Sequence, residues 1–221
     1  MTSNSKNSSH QTPTTKSHAP GFRLPFSSFM LLTLYLLLCF PLTWEHSHAQ
    51  SNEGETVPAI EEGRRQVKVV CSACHGMEGL SLHSLYPNLK GQKKDYLINQ
   101  LKLLKEGKRR HNLMESYARP LTEKQISNLA TYYSSFQRFE IQNRPVPPPA
   151  QQCIACHGPM GKSATELFPN LSGQRYEYLV NQMRNLKSGK RVNAVMNPIL
   201  KDISDEDIQT IARFFTMDRI N

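Results

Sequence analysis

The stretch CSACHG at residues 71–76 decides the fold, because it returns as CIACHG at residues 153–158. Two cysteines three residues apart lie on one turn of a helix. Both thiols can therefore reach the two vinyl groups along one side of a haem, while the adjacent histidine faces the iron. Cys-x-x-Cys-His is the attachment pattern of c-type haem. It predicts two covalently bound haem c groups, attached to Cys71, Cys74, Cys153 and Cys156, with His75 and His157 as iron ligands.

The two motifs belong to a longer internal repeat. Adding 82 to a residue number in the first half gives its equivalent in the second, so residues 86–114 lie over residues 168–196 without a gap. A repeat of this kind indicates a tandem duplication in which each copy forms one domain. The predicted boundaries are an N-terminal domain at 50–139, a linker at 140–151 and a C-terminal domain at 152–221.

The predicted linker, EIQNRPVPPPAQ, contains four prolines. Proline fixes φ and lacks a backbone N–H, so the segment is expected to be extended and semi-rigid, with no helix. Such a strap would hold two sites at a defined separation.

Within each copy the apolar spacing predicts an all-α fold. Residues 96–104 recur at helical spacing and stop at Gly107, and residues 178–186 stop in the same way at Gly189. Two further helices are predicted to start at the N-caps Thr122 and Ser204, and one more to run from Ile60 into Cys71 in the first copy alone.

Residues 1–49 have the features of a secretory signal peptide. A basic region precedes the apolar run FMLLTLYLLLCF, and Ser-His-Ala at 47–49 offers a cleavage site before Gln50. The alternative is an uncleaved anchor over residues 22–44, which is long enough to span a bilayer. Cleavage would remove Cys39, place the protein in the periplasm and leave four cysteines, all of them in the two motifs.

The net charge is +9, and the removal of three basic residues and one acidic residue with the signal would leave +7. A basic surface suits acidic proteins or anionic lipid headgroups at a membrane. An export signal argues against nucleic acid as a partner.

Two other interpretations of the motifs remain. A thioredoxin-like redox pair needs a strand, helix, strand setting, which the sequence lacks. A zinc site shared between the motifs has suitable ligand types, but it would require the unduplicated ancestor to have held half a site.

The repeat also selects the second axial ligands of the two irons. Haem iron in an electron carrier takes Met or His opposite its proximal histidine. Among eight methionines, only Met114 and Met196 map onto each other at the offset of 82, each in a predicted loop between helices. His/Met ligation closes both axial positions, so an electron carrier is predicted and not an enzyme.

Other matched pairs are candidates for neighbouring roles. Pro87 and Pro169 each follow an aromatic residue, and a backbone carbonyl near them could accept a hydrogen bond from Nδ1 of the ligand histidine. Five more matched pairs could bind haem propionates or join the domains: Gln92/Gln174, Tyr96/Tyr178, Asn99/Asn181, Lys108/Lys190 and Arg109/Arg191.

The chain resembles the dihaem cytochromes c4 from about Ile60 to its end. The shared features are two Cys-x-x-Cys-His domains that each continue PNLxGQ, YL, NQ, GKR and a Met before a final helix. The resemblance implies two class I cytochrome c folds, His75/Met114 and His157/Met196 ligation, and periplasmic electron transfer between a cytochrome bc complex and a terminal oxidase. The first copy departs from the pattern, because HNLMESYARP lacks the Met-x-Pro seen in VMNPI.

Two alternative functions follow from the same motifs. One is the electron-accepting haem subunit of a periplasmic dehydrogenase, such as a sulfide dehydrogenase. The other is a dihaem enzyme such as a peroxidase, which needs an open iron and is disfavoured by the matched methionines.

Overall fold

The first helix runs directly into the first cysteine motif. The computed structural model describes residues 53–138 and 140–216. In it α1 spans Glu53–Gln66, a π-helical turn spans Val67–Cys71, and α2 spans Ser72–His75. Helix α1 begins at Glu53, before the predicted Ile60, and Pro58 lies inside it.

The remaining helices confirm the all-α prediction. The first copy continues with α3 (Lys94–Lys105), α4 (Asn112–Ala118) and α5 (Glu123–Ser134). The second copy contains α6 (Gln151–His157), α7 (Tyr176–Lys187), α8 (Met196–Leu200) and α9 (Asp205–Phe215). Over the described ranges the only extended pairing is one isolated bridge between Gln174 and Thr216.

The predicted helix ends are confirmed. Gly107 and Gly189 follow α3 and α7 with φ values of 68° and 73°. Thr122 accepts a hydrogen bond from the N–H of Gln125 at 3.2 Å, and the Gln125 side chain accepts one from the N–H of Thr122 at 2.8 Å. Ser204 caps α9 by accepting from the N–H of Asp207 at 3.0 Å.

The two copies are entered differently. In the first copy α1 packs against α5, and a Cβ on Gly63 would come within 2.4 Å of the Asn128 carbonyl oxygen. The second copy is entered through the proline segment, and here the prediction that no helix forms up to residue 151 is wrong. A short 3-10 turn spans Pro148–Ala150 and leads into α6, because proline is tolerated in a first helical turn, where its N–H would have no partner.

Each copy has its own hydrophobic core. The first is built around Val67, Leu97, Leu129 and Tyr133, and the second around Leu179, Ile208, Ile211 and Phe215. The second core also includes Ala150, and Val146 packs against it, so the end of the predicted linker belongs to that core. The domain boundaries themselves stay predictions.

The described residues belong to one compact unit. The predicted signal peptide lies outside them. None of the helices in the described ranges has the length and apolar character needed to cross a membrane.

Candidate haem sites

The Cys-x-x-Cys-His motifs form the same helical turn in both copies. His75 is the last residue of α2 and His157 the last residue of α6. The glycine that follows each histidine stops the helix with φ values of 74° at Gly76 and 76° at Gly158. A Cβ at Gly158 would lie 1.8 Å from the Lys162 carbonyl oxygen, so the sixth letter of the motif is a backbone requirement.

Both histidines are buried and oriented by a proline carbonyl. His75 Nδ1 lies 3.1 Å from the Pro87 oxygen, and His157 Nδ1 lies 2.9 Å from the Pro169 oxygen. A carbonyl only accepts, so Nδ1 carries the proton and the Nε2 lone pair is left for a metal. Burial lowers the pKa of both imidazoles, although the hydrogen bonds to proline oppose it, which favours the neutral form.

The cysteines lie at the edge of an apolar region. Cys71, Cys74 and Cys153 are half-buried and Cys156 is exposed, and none of the four is in a disulfide. Burial raises the pKa of Cys71 to about 11, and the nearby Cys74 adds to the shift. Burial also raises the pKa of Cys153.

The two methionines lie on short helices and not in the predicted loops. Met114 is the third residue of α4, and Met196 is the first residue of α8. His111 accepts from the N–H of Met114 at 3.3 Å, and Asn193 accepts from the N–H of Met196 at 2.8 Å. These caps stabilise α4 and α8, which are too short to show a helical pattern of apolar residues in the sequence.

One cavity brings all of the predicted ligands together. Its volume is about 820 Å³, and its lining includes Cys71, Cys74, His75, Met114, Cys153, Cys156, His157 and Met196. Apolar side chains such as Leu97, Leu129 and Leu179 line the same space. Thiols, an oriented imidazole and a thioether around an apolar space form the donor set that c-type haem requires. The residues present therefore fit two haem groups.

The described residues do not support the alternative of a zinc site shared between the motifs. No three His, Cys, Asp or Glu side chains in the ranges 53–138 and 140–216 are grouped to hold a metal ion.

The cavity extends over both copies because a reciprocal hydrogen-bond network joins them. The Asn88 N–H donates to Gln174 Oε1 at 2.6 Å, and the Asn170 N–H donates to Gln92 Oε1 at 2.7 Å. In return, Gln174 Nε2 donates to the Asn88 oxygen at 3.0 Å and Gln92 Nε2 to the Asn170 oxygen at 2.9 Å. All four residues are buried. Each bond therefore has an equivalent at the offset of 82, and the copies are related by a pseudo-two-fold axis.

A second reciprocal set lies on α3 and α7 and the turns that follow them. Arg109 donates to Tyr178 at 3.2 Å and to Gln182 at 3.2 Å. Its equivalent Arg191 donates to Tyr96 at 3.3 Å and to Gln100 at 2.9 Å. Burial favours a higher pKa for Tyr178, but the guanidinium groups of Arg109 and Arg191 outweigh it and hold that pKa below its ordinary value.

These contacts decide most of the matched pairs left open by the sequence. Gln92/Gln174, Tyr96/Tyr178 and Arg109/Arg191 join the copies. The two arginines also line the cavity. Asn99, Asn181 and Lys190 line the cavity, whereas Lys108 pairs with Glu106 at 2.8 Å on the surface.

Sequence reasoning missed Asn88 and Asn170. Besides their backbone bonds, Asn88 Nδ2 donates to the Gly173 oxygen at 2.9 Å and Asn170 Nδ2 to the Gly91 oxygen at 3.0 Å. Their Oδ1 atoms accept from the N–H groups of Ser81 and Ser163, both at 3.0 Å. Both asparagines are matched at the offset of 82, which is the signal that would have found them.

This arrangement of two helical copies, each with an oriented histidine beside paired cysteines, defines a dihaem c-type cytochrome. The family described as "Cytochrome C oxidase, cbb3-type, subunit III" matches residues 58–132 and again residues 150–215, once in each copy. A thiosulfate dehydrogenase electron acceptor of Thiomonas intermedia is 30% identical over 65% of this chain and 76% of its own. Cytochrome c4 of Thiocapsa roseopersicina is 29% identical over 70% of this chain and 90% of its own.

The fold is similar to that of a solved relative. The crystal structure of reduced recombinant cytochrome c4 from Pseudomonas stutzeri superposes with a TM-score of 0.63 at 28% identity, over 71% of this chain and 96% of that one. The chain belongs to this family of cytochrome c domains and, within it, to the cytochrome c4-like dihaem cytochromes. It consists of two tandem class I cytochrome c domains, carries two covalently bound haem c groups and acts as an electron carrier with redox partners.

Proposed function

We propose that Cys71, Cys74, His75 and Met114 hold one haem, and that Cys153, Cys156, His157 and Met196 hold the other. The observation that carries this proposal is that all eight residues line one cavity while both histidines present Nε2 and not Nδ1 to it. When bound, each haem iron gains and releases one electron at a time. The role of the protein is to keep the histidines neutral and oriented and to hold the two sites in one rigid frame.

We also propose that the protein works in the periplasm, between a cytochrome bc complex and a terminal oxidase. The predicted signal peptide over residues 1–49 and the basic charge of the remaining chain support this location and an acidic docking partner. Basic character also suits a position at an anionic membrane surface.

Absorption spectroscopy of the oxidised protein tests the ligands directly. We expect both haems to show the far-red band that arises from a methionine bound to ferric iron. Met114→Ala and Met196→Ala should each remove half of that band, and the double variant should remove all of it. Met183→Ala is the matched control, because Met183 lines the same cavity but has Leu101 as its equivalent. A full band in either single ligand variant would show that the ligand assignment is wrong.

A second candidate function is electron acceptor of a periplasmic dehydrogenase. It is favoured by the relative in Thiomonas intermedia whose name is thiosulfate dehydrogenase electron acceptor. Reduction of the purified holoprotein by a thiosulfate dehydrogenase with thiosulfate, compared with reduction by a cytochrome bc complex with quinol, separates the two functions. Rapid reduction by the bc complex and slow reduction by the dehydrogenase is the result expected for the first. The opposite ratio of rates would favour the second.

A further inference from the structure

The helices that carry Met114 and Met196 begin with the same two capping hydrogen bonds, but different side chains make these bonds in the two copies. In the second copy, Asn193 caps the N–H of Met196, and the N–H of Asn193 donates to Asn197 Oδ1. In the first copy, His111 caps the N–H of Met114, and the N–H of His111 donates to Glu115 Oε1 at 2.7 Å. Residues 111 and 115 thus have the same backbone roles as 193 and 197, although neither side chain is the same.

The side chains of Asn197 and Glu115 also differ in their other hydrogen-bond and ion-pair partners. Asn197 Nδ2 also donates to the carbonyl oxygens of Leu186 and Arg191, the latter at 2.9 Å, which fastens α8 to the end of α7. A carboxylate has no donor, so Glu115 cannot make the equivalent bonds. Its remaining partners are Arg110 at 3.5 Å and Arg119 at 4.0 Å, whose side chains are more than 70% exposed. Glu115 itself is buried, but a long, exposed arginine side chain is held in one geometry only at an entropic cost, so these pairs contribute little to holding the helix in place.

The backbone and the packing also hold Met196 more firmly than Met114. Pro198 lies in the first turn of α8 and restricts its backbone, whereas the equivalent residue in α4 is Ser116. Met196 packs against the hydrophobic core of the second copy. The described residues that pack against the core of the first copy do not include Met114.

Met114 also adjoins a second cavity, of about 610 Å³, between α1 and α4. Its lining runs from Cys71 and Met114 outward to Val69 and Tyr117, which are 83% and 46% exposed. Helix α1 forms one wall and has no counterpart before Cys153, where the proline segment enters the second copy. A small molecule can therefore approach Met114 from the surface by a route that depends on a helix present only in the first copy.

From these four observations, which rest on the ligands assigned under the proposed function, we propose that the first iron site exchanges Met114 for a small external ligand while the second site stays closed. With haem bound, this exchange would replace the bond between the Met114 sulfur and the iron with a bond from a lone pair of the incoming molecule. No electron is transferred. Neutral imidazole binds without losing a proton, whereas hydrogen cyanide releases its proton to solvent when it binds. The apolar lining favours a small, uncharged molecule with a lone pair on nitrogen or carbon.

Binding of imidazole and cyanide to the oxidised holoprotein tests the proposal. We expect loss of the far-red band in two phases of equal amplitude, with the first haem reacting at least about tenfold faster than the second. A tenfold ratio corresponds to about 1.4 kcal/mol, which is the scale of one or two net hydrogen bonds.

Variants of the residues around the two methionine helices show which haem gives rise to each phase. His111→Asn combined with Glu115→Asn gives the first copy the amide pair of the second, and it should slow the fast phase. Asn197→Asp replaces the donor that ties α8 to α7 with a carboxylate oxygen, the group that Glu115 has in the first copy, and it should speed the slow phase. Ser116→Trp fills the entrance of the second cavity and should slow imidazole more than cyanide. A normal far-red band before ligand addition shows in each variant that the methionine ligands are in place.

The outcomes separate this inference from the proposed function. A full far-red band in Met114→Ala would overturn the ligand assignment and the inference together. Half of the band lost in Met114→Ala, but equal rates of cyanide binding at the two haems, would overturn the inference alone. A fast phase that responds only to changes in the second copy would do the same.

Discussion

Asn88 and Gln174 hold each other across the boundary between the two copies. The N–H of Asn88 donates to Gln174 Oε1 at 2.6 Å, and Gln174 Nε2 donates back to the Asn88 oxygen at 3.0 Å. One side chain thereby satisfies both polar groups of a buried peptide segment. The pseudo-two-fold axis repeats the arrangement with Gln92 and Asn170.

Replacing Gln174 with alanine should therefore destabilise the protein well beyond the loss of a surface contact. Two buried backbone groups lose their partners, each at a cost of about 1–3 kcal/mol in the free energy of unfolding. Gln92→Ala should cost a similar amount, whereas Gln137→Ala on the exposed surface should change the free energy by less than about 0.5 kcal/mol. Chemical denaturation of the holoprotein measures all three, and equal midpoints would contradict the prediction.

Arg109→Met should raise the pKa of Tyr178. The positive charges of Arg109 and Arg191 favour the ionised phenol and outweigh the opposing effect of burial, so removing one charge weakens the preference for the ionised form. The phenol should then ionise at a higher pH. NMR of protein labelled at the tyrosine ring carbons follows this ionisation directly. Arg184→Met, which removes an exposed partner of Asp205, is the control and should leave the Tyr178 titration in place.

Gly158→Ala and Gly189→Ala should separate two effects of a Cβ in the left-handed region. Both glycines have positive φ, but a Cβ at Gly158 meets the Lys162 oxygen at 1.8 Å, whereas one at Gly189 has no atom within 4 Å. Gly189→Ala should cost about 1–2 kcal/mol from the backbone alone. Gly158→Ala should cost more and lower the haem content of the second copy, because the clash displaces the turn after His157. Equal melting temperatures for the two variants would show that the turn can relax.

Thr122→Ala should destabilise α5 by about 1 kcal/mol through loss of its N-cap. Ser204→Ala should cost a similar amount at α9, since each hydroxyl accepts from the N–H three residues later. Thermal unfolding of Thr122→Ser tests the reason, because serine keeps the acceptor and should retain most of the stability. A loss in Thr122→Ser as large as in Thr122→Ala would indicate that the methyl group matters and not the cap.

The parts that sequence could predict are those encoded locally or by repetition. Helices α3 and α7 follow from an apolar period ended by Gly107 and Gly189, and the helical turns that end at His75 and His157 follow from a motif with fixed spacing. The prediction for the proline segment was wrong for a local reason. Proline disfavours a helix interior, but it is tolerated in a first helical turn, and Pro148 lies in such a turn.

The interface lay beyond sequence reasoning for a different reason. A matched pair such as Gln92/Gln174 shows only that both copies need the residue. Which backbone groups a glutamine reaches depends on how the copies dock, and that is set by all of the contacts together. The short helices α4 and α8 were also missed, since seven and five residues are too few to display a period. Their existence depends on the caps at His111 and Asn193.

The reciprocal network has a consequence for the unduplicated form of this protein. Asn88 meets the equivalent of Gln92, and Gln92 meets the equivalent of Asn88. Such an interface is isologous, so a single copy carries both halves of it. Two separate chains of one copy would present the same Asn, Gln, Tyr and Arg side chains to each other and could close into a symmetric homodimer. The tandem chain is in this sense a fused dimer. Because the copies are fused, their association no longer depends on protein concentration. Each copy can also change its sequence independently, as the helices that carry Met114 and Met196 have done.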